Sequence, residues 1–223
     1  MGEMIEFPSN GGTAQGYLAG ESGPGIVVIQ EWWGLVDHIK EVCDRFAQAG
    51  FVALAPDLYH GASTTEPDEA GKAMMAMKMD QAALDMSGAV DEVARRSGHD
   101  KVGVIGFCMG GGLALVLATK RPDKVAAVVP CYGIIPWPDA QPDYRAMSAA
   151  VLGHYAEKDD FFTPAAAEEL ATQLRGLGKE VEIHIYPGAD HAFFNDTRPD
   201  VYDAPAAGLL WDRSVAFFRS KLS

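Results

Sequence analysis

Cysteine, basic residues and long apolar segments are all scarce in this sequence. There are 3 cysteines in 223 residues. An odd and sparse set does not form a disulfide framework, so we expect a reducing, cytoplasmic setting. Lysine and arginine number 18 against 31 aspartates and glutamates, which gives a formal net charge of −13. This excess of negative charge argues against nucleic acid or an anionic membrane surface as a partner.

No apolar segment approaches the roughly 20 residues that a membrane-spanning helix needs. The first ten residues, MGEMIEFPSN, have neither a cationic region nor an apolar run, so no secretory signal is expected. The length suits a single α/β domain over residues 1–223, with 48% apolar residues available for its core. We expect that domain to be a monomer.

Segments with strand character alternate with segments of helical periodicity from Gly25 onward. The predicted strands are Glu3–Phe7, Thr13–Ala19, Gly25–Gln30, Phe51–Pro56, Lys101–Phe107, Val125–Cys131, Ala149–Tyr155 and Glu180–Tyr186. The predicted helices are Asp37–Ala49, Glu69–Met77, Asp80–Arg96, Gly110–Lys120, Thr163–Leu177 and Ala204–Leu222. The turn signal PSNGG indicates that the first two strands form a hairpin. We expect Asp37 to cap the first helix, and Tyr202 or Asp203 to cap the last.

This alternation predicts an α/β protein with one mostly parallel central sheet, helices on both faces and an N-terminal hairpin. In such sheets, ligands bind at the carboxyl ends of the strands. The polar residues that interrupt the apolar pattern follow predicted strands. We therefore expect those residues to meet at one edge of the sheet.

The segment Gly106-Phe107-Cys108-Met109-Gly110 fits the G-x-nucleophile-x-G turn that joins a strand to a helix, with cysteine in the place of serine. The glycines permit a sharp turn and close contacts between backbone segments. Cys108 would then face the start of a helix, whose partial positive charge favours a thiolate. The alternative is a buried, unreactive cysteine, which is how most free cysteines behave.

Two later strands are followed by residues that could complete the order nucleophile, acid, histidine of the hydrolases built on this turn. Asp159 and Asp160 follow one predicted strand. Asp190 and His191 follow the next. Adjacent aspartates point in different directions, so only one of the first pair is expected to reach the imidazole, and Asp190 is better suited to forming a turn. The alternative for His191 is an exposed loop imidazole.

A third carboxylate, Glu31, follows the first parallel strand and precedes Trp32 and Trp33, where the oxyanion-hole loop of such a fold belongs. Beside a thiol, a carboxylate opposes ionisation by its like charge or accepts the thiol proton. The two tryptophans favour a buried position for Glu31 over the alternative, a solvated loop glutamate.

Six segments together resemble the dienelactone hydrolase family over nearly the whole chain: VVIQEWWGL, FVALAPDLY, IGFCMGGGLAL, VVPCYG, GHYAEKDDFFTP and YPGADHAFFN. The resemblance implies an α/β-hydrolase fold with a catalytic triad of Cys108, His191 and Asp159. Asp159 is chosen because it follows AEK, where the family has its acidic motif. The resemblance also implies that Cys108 rests as a neutral thiol bonded to Glu31 and is activated when substrate enters.

The same resemblance assigns the oxyanion hole to the backbone N–H groups of Trp32 and Met109, and a pocket position to Tyr132. Founding members of the family hold a carboxylated lactone with arginines. This chain has Asn195 four residues after the histidine, where one of those arginines belongs, and no arginine in residues 61–90. We therefore expect a pocket for neutral substrates, with Asn195 among its substrate contacts.

These observations predict a cysteine-dependent hydrolase of lactones or activated esters that forms an acyl-thioester and needs neither cofactor nor metal. Four apolar side chains are candidates for lining its pocket: Trp33, Trp137, Phe193 and Met74. The alternative for these four is ordinary packing in the core or in a lid. Two alternatives remain open. One is a general carboxylesterase or thioesterase acting on neutral substrates, and the other is a non-enzymatic protein in which Cys108 senses oxidants.

Overall fold

The computed structural model describes residues 1–9, 11–135 and 141–222. Within those residues the strands are β1 (Glu3–Ser9), β2 (Gly12–Ala19), β3 (Gly25–Ile29), β4 (Val52–Pro56), β5 (Val102–Phe107), β6 (Val125–Cys131), β7 (Ala150–Ala156) and β8 (Val181–Tyr186). They form one sheet in the order β1-β2-β4-β3-β5-β6-β7-β8. The pairs β1–β2 and β2–β4 are antiparallel, and the pairs from β4 onward are parallel.

The helices of the described residues are α1 (Asp37–Gln48), α2 (Pro67–Ala76), α3 (Met79–Ser97), α4 (Met109–Lys120), α5 (Pro164–Gly176) and α6 (Ala204–Leu222). Residues of α1 and α6 form one apolar core on one face of the sheet, and residues of α3, α4 and α5 form a second core on the other face. Ile26 and Val28 of β3 enter the first core, whereas Val27 and Ile29 enter the second. Covering both faces explains why β3 is apolar at successive positions rather than alternating.

The N-terminal hairpin, the mostly parallel sheet and the helices on both faces confirm the predicted fold class. The hairpin pairs Glu3 with Leu18 and Ser9 with Gly12, so the turn lies at the predicted PSNGG segment. No described helix combines the length and apolar character needed to cross a membrane.

The first and last helices begin differently. Asp203 caps α6, because its Oδ1 accepts a hydrogen bond from the backbone N–H of Ala206 at 3.0 Å. The prediction that Asp37 caps α1 is wrong. Asp37 is the first residue of that helix, and its carboxylate accepts a hydrogen bond from Lys40 at 3.1 Å. The cap position is Val36, whose apolar side chain has no acceptor for the free N–H groups of the helix.

Candidate active site

The carboxyl ends of the parallel strands lie at one edge of the sheet, and reactive side chains follow four of them. Glu31 follows β3, Cys108 follows β5, Asp159 follows β7 and His191 follows β8. The structure therefore brings to one edge the four side chains that the sequence predicts to be catalytic. Short loops after neighbouring parallel strands produce this convergence even though the residues are far apart in the chain.

Cys108 lies on a sharp turn between β5 and α4. Its backbone has φ 54° and ψ −119°, a conformation that a residue with a side chain rarely adopts and that typically costs about 1–3 kcal/mol. The turn requires glycine on both sides. A methyl group on Gly106 would overlap the carbonyl of Gly110, and one on Gly110 would overlap the carbonyl oxygens of Ile29 and Gln30. The tight packing holds the thiol at the start of α4, partly exposed.

Asp159 and His191 form a short hydrogen bond, with 2.6 Å between Asp159 Oδ2 and His191 Nδ1. The other oxygen of Asp159 accepts the backbone N–H groups of Phe161 and Phe162 at 2.8 and 2.9 Å. Burial opposes ionisation of Asp159, but these hydrogen bonds and the charge of His191 keep the pKa of its carboxyl below the ordinary value. The carboxylate is thus ionised and fixed in orientation.

Asp159 occupies Nδ1 of His191 and leaves Nε2 as the nitrogen available to Cys108. Burial alone would lower the pKa of His191, but the hydrogen bond with Asp159 and the interaction with Cys108 outweigh it and raise that pKa to about 10. No well-aligned hydrogen bond joins sulfur and imidazole within the described part of the chain, a common situation in hydrolases before substrate binds. Cys108 is still close enough to His191 to help raise the pKa of the imidazole.

Glu31 is almost completely buried, with 1% of its surface exposed. Its Oε2 accepts a hydrogen bond from Asn195 Nδ2 at 2.8 Å, whereas its Oε1 has no hydrogen-bond partner among the described residues. The hydrogen bond expected between Glu31 and the thiol of Cys108 is therefore not formed in this structure. Burial, together with the charge of Glu31, raises the pKa of Tyr132 well above its ordinary value, so that hydroxyl stays protonated beside the carboxylate.

The backbone N–H groups of Trp32 and Met109 make no backbone hydrogen bond in the described residues. Met109 is the first residue of α4, and the N–H groups of the first helical turn have no partner within the helix. The N–H of Cys108, by contrast, is already bonded to the carbonyl of Cys131 at 3.0 Å. The donors predicted for the oxyanion hole are therefore free to bind a ligand oxygen.

The side chains at this edge of the sheet point to one protein family, and the sequence matches that family over nearly its full length. A sequence profile of the dienelactone hydrolase family matches residues 14–222. The chain belongs to the dienelactone hydrolase family. As a member of that family the protein is a hydrolase.

Two relatives of this dienelactone hydrolase family member align with its sequence over the full length of the chain. It is 42% identical to "Protein usf" of Aquifex pyrophilus and 38% identical to a "Putative carboxymethylenebutenolidase" of Aquifex aeolicus, over 100% of both chains in each case. It also superposes on the crystal structure of a "Putative Dienelactone Hydrolase" from Klebsiella pneumoniae. The TM-score is 0.87, the identity is 28%, and 98% of each chain is covered.

The residues predicted to contact substrate in this family member differ in accessibility. Trp33 is half-buried and packs edge-on against Trp32, with 5.0 Å between ring centroids. Phe193 is fully buried beneath Tyr132, and Asn195 is buried behind Glu31. These last two side chains support the walls of the site rather than line an open surface.

The remaining predictions concern the opening of the site and metal binding. Trp137 lies outside the described residues, and Met74 is half-buried on α2. The aromatic rings of Phe161 and Phe162 instead flank the imidazole of His191, with centroid distances of 5.9 and 5.8 Å. In the described ranges, no group of three or more His, Cys, Asp or Glu side chains could hold a metal ion.

Sequence reasoning missed one residue of this edge, Tyr59. It follows β4, and its hydroxyl lies 3.5 Å from the sulfur of Met109. The available signal was its place in the segment FVALAPDLY, three residues beyond the end of a buried strand. A tyrosine in a loop has no distinctive spacing, however, and only the paired strands bring this one to the nucleophile.

Proposed function

We propose that the protein is a cysteine-dependent hydrolase of lactones and activated esters. In this proposal Cys108 is the nucleophile, His191 transfers protons and Asp159 orients His191. The observation that carries the proposal is the 2.6 Å contact of Asp159 with His191, beside a cysteine held on a strained strand-to-helix turn. An oriented imidazole next to a nucleophile is the arrangement that covalent acyl transfer uses.

The first half-reaction transfers the acyl group to sulfur. His191 takes the proton of the Cys108 thiol, the sulfur attacks the carbonyl carbon, a C–S bond forms, and the carbonyl π electrons move onto oxygen. The backbone N–H groups of Trp32 and Met109 then bind this oxyanion, and one such donor is typically worth about 3–4 kcal/mol. When the C–O bond breaks, the leaving alkoxide takes a proton from the imidazolium of His191, and an acyl-thioester remains.

The second half-reaction releases the acid. His191 takes a proton from a water molecule, whose oxygen attacks the thioester carbonyl. The C–S bond breaks, the carboxylic acid leaves and the sulfur recovers its proton through His191. A thiolate leaves a tetrahedral intermediate more easily than an amine does, so this chemistry suits enol lactones, aryl esters and thioesters better than amides.

Glu31 is proposed to control the protonation of Cys108. Its Oε1 is buried without a hydrogen-bond partner in the described residues. Burial raises the pKa of the Tyr132 hydroxyl most, and both Glu31 and Cys108 lie close enough to that hydroxyl to raise its pKa further. An unpaired buried carboxylate oxygen is costly, and a thiol proton would satisfy it. In this proposal rotation of the Cys108 side chain lets the thiol donate to Glu31, a hydrogen bond that this structure does not hold, and lets the sulfur face His191 when substrate is bound.

Replacement of the nucleophile tests the chemistry. Cys108→Ala is expected to abolish hydrolysis of p-nitrophenyl acetate, whereas Cys43→Ala, which removes a buried thiol from α1, is expected to keep it. Mass spectrometry of an ester-treated sample should show an acyl group on Cys108. Near wild-type turnover by Cys108→Ala would exclude this function. A redox-sensing thiol without activity would show no turnover of any activated ester.

The substrate is proposed to be neutral at its acyl end. Asn195 replaces the arginine expected there, and its amide is already bonded to Glu31. Among the described residues, Arg198 brings a cation to Trp33: its guanidinium is 5.9 Å from the Trp33 ring centroid and is paired with Asp200 at 3.1 Å. We expect kcat/KM to be higher for a neutral ester than for a carboxylated lactone of similar size. A strong preference for the carboxylated lactone would contradict a neutral substrate. If Arg198→Gln then lost that preference, Arg198 would be the cation that binds the carboxylate.

A further inference from the structure

The loop after β4 brings a phenol close to Met109, the residue that follows the nucleophile. Tyr59 follows β4 by three residues, and its hydroxyl oxygen lies 3.5 Å from Met109 Sδ. Met109 directly follows Cys108 and supplies one of the free backbone N–H groups. In the sheet, β4 lies next to β3, and β3 lies next to β5, so Tyr59 reaches across the end of β3.

Hydrogen bonds hold this loop in place. The side chain of Gln30 accepts the N–H of Leu58 at 3.1 Å. The carboxylate of Asp57 accepts the N–H of Tyr59 at 3.1 Å and also the N–H of Gly61. The phenol is therefore carried on a fixed segment of backbone rather than on a free loop.

The same loop is joined to the loop that contains Trp32. Gly34 and Ser63 form an isolated antiparallel bridge, and the N–H of Thr64 donates to the carbonyl of Trp33 at 3.0 Å. The phenol and the proposed Trp32 donor thus belong to one connected unit. Such preorganisation is what a group needs if it is to stabilise charge in a transition state without moving.

The hydroxyl of Tyr59 has little to bind in the described structure. Its partner there is a thioether sulfur, which is a weak acceptor. Burial and the nearby Cys108 raise the pKa of Tyr59 to about 12, so the group remains a donor at neutral pH. A half-buried donor with a weak partner is ready to exchange it for an oxygen.

We propose that the Tyr59 hydroxyl donates a third hydrogen bond to the carbonyl oxygen of the bound ester, alongside the backbone N–H groups of Trp32 and Met109. This inference rests on the hydrolase function proposed above. Its geometric basis is the strand order: β4 and β3 lie on one side of β5, whereas β7 and β8, which carry Asp159 and His191, lie on the other. His191 therefore serves the leaving group, and Tyr59 serves the acyl oxygen.

The test is Tyr59→Phe, which keeps the aromatic ring and removes the hydroxyl alone. We expect kcat for an aryl ester to fall about 10²- to 10³-fold, because loss of one oxyanion donor usually acts on the chemical step. KM should change little. The matched control is Tyr202→Phe, which removes an exposed hydroxyl outside the site and should leave kcat unchanged.

A comparison of oxygen and sulfur substrates separates a direct contact from a structural effect. In a thionoester the carbonyl oxygen is replaced by sulfur, which accepts hydrogen bonds weakly. Tyr59→Phe should therefore lose much less activity toward the thionoester than toward the ester. Equal losses on both substrates, or no loss on the ester, would overturn the role of Tyr59. Absence of ester turnover by the wild type, or unimpaired turnover by Cys108→Ala, would instead overturn the proposed function together with it.

Discussion

The Nδ1 atom of His191 lies 2.6 Å from Oδ2 of Asp159, although 32 positions of the chain separate the two residues. They meet because they follow β7 and β8, which are neighbouring parallel strands. Two backbone N–H groups fix the other carboxylate oxygen from the opposite side. The imidazole is therefore held in one orientation before any substrate arrives.

Asp159→Asn is expected to lower the pKa of His191 from about 10 toward the ordinary value, because it removes the charged hydrogen-bond acceptor. We expect kcat for an activated ester to fall by about 10²- to 10⁴-fold, since the amide also favours the wrong tautomer. Histidine resonances followed by NMR across pH, with steady-state kinetics, measure both effects. Asp160→Asn is the control and should change neither. An unshifted His191 titration would contradict the assigned pairing.

The raised pKa of His191 also predicts how stability depends on pH. A histidine whose folded pKa is about 10 and whose unfolded pKa is about 6.5 retains its proton longer in the folded state. Its stabilising contribution is complete below pH 6.5 and is lost as pH rises toward 10. The free energy of unfolding of the wild type, relative to His191→Gln, should therefore decrease across this window. Denaturant titrations at several pH values test this.

Exposed His99 provides the control for that experiment, because His99→Gln removes an imidazole that forms no ion pair with a carboxylate among the described residues. The difference in the free energy of unfolding between the wild type and His99→Gln should be nearly constant with pH. If the difference in the free energy of unfolding between the wild type and His191→Gln were also independent of pH, the strong interaction of His191 with Asp159 would be disproved.

Much of this architecture could be predicted from the sequence, because it follows from local patterns. GIVVI and VALAP are apolar at successive positions, and only strands covered on both faces tolerate that. The glycines around Cys108 likewise predict a turn with no room for side chains. The chain order of Cys108, Asp159 and His191 then suffices to assign them to one edge.

The parts that the sequence did not reveal depend on contacts between distant residues. Asn195 bonds to Glu31 across 164 positions, and nothing in either loop indicates that the amide faces inward. The approach of Tyr59 to Met109 depends on the strand order, which the sequence pattern alone does not specify. Asp37 was misplaced for a local reason: helix boundaries shift by a residue or two, and a cap depends on the boundary itself.

Gly106 and Gly71 form a matched pair for testing the turn at Cys108. Gly106→Ala should abolish activity and destabilise the fold, because its methyl group would overlap the backbone of Gly110. Such overpacking typically costs about 1–3 kcal/mol or more. Gly71→Ala lies on α2 with no atom within 4 Å of its new methyl group, so it should keep activity and gain up to about 1 kcal/mol. Thermal unfolding and ester hydrolysis measure both. Normal activity in Gly106→Ala would show that the turn is looser than described.

The contact of Asn195 with Glu31 predicts an unusual pH dependence when it is altered. Asn195→Leu leaves the buried carboxylate without its hydrogen bond and should cost about 1–3 kcal/mol at neutral pH. Asn195→Asp places a second carboxyl beside it, and like charges in a buried site raise the pKa of one member of the pair. The folded state then binds an extra proton, so this variant should become more stable, relative to the wild type, as pH falls from 7 to 5.

Urea unfolding of the two Asn195 variants at pH 5, 6 and 7 measures that dependence. Asn195→Leu is the matched control, because it lacks the same hydrogen bond but introduces no titrating group. Its loss of unfolding free energy relative to the wild type should vary much less with pH. At pH 5 the shared proton would join the two carboxyls by a hydrogen bond and restore part of the lost stability. Parallel pH curves for the two variants would mean that solvent reaches Glu31. The carboxylate would then be screened by water, and the role proposed for its unpaired oxygen in holding the thiol proton would fail with it.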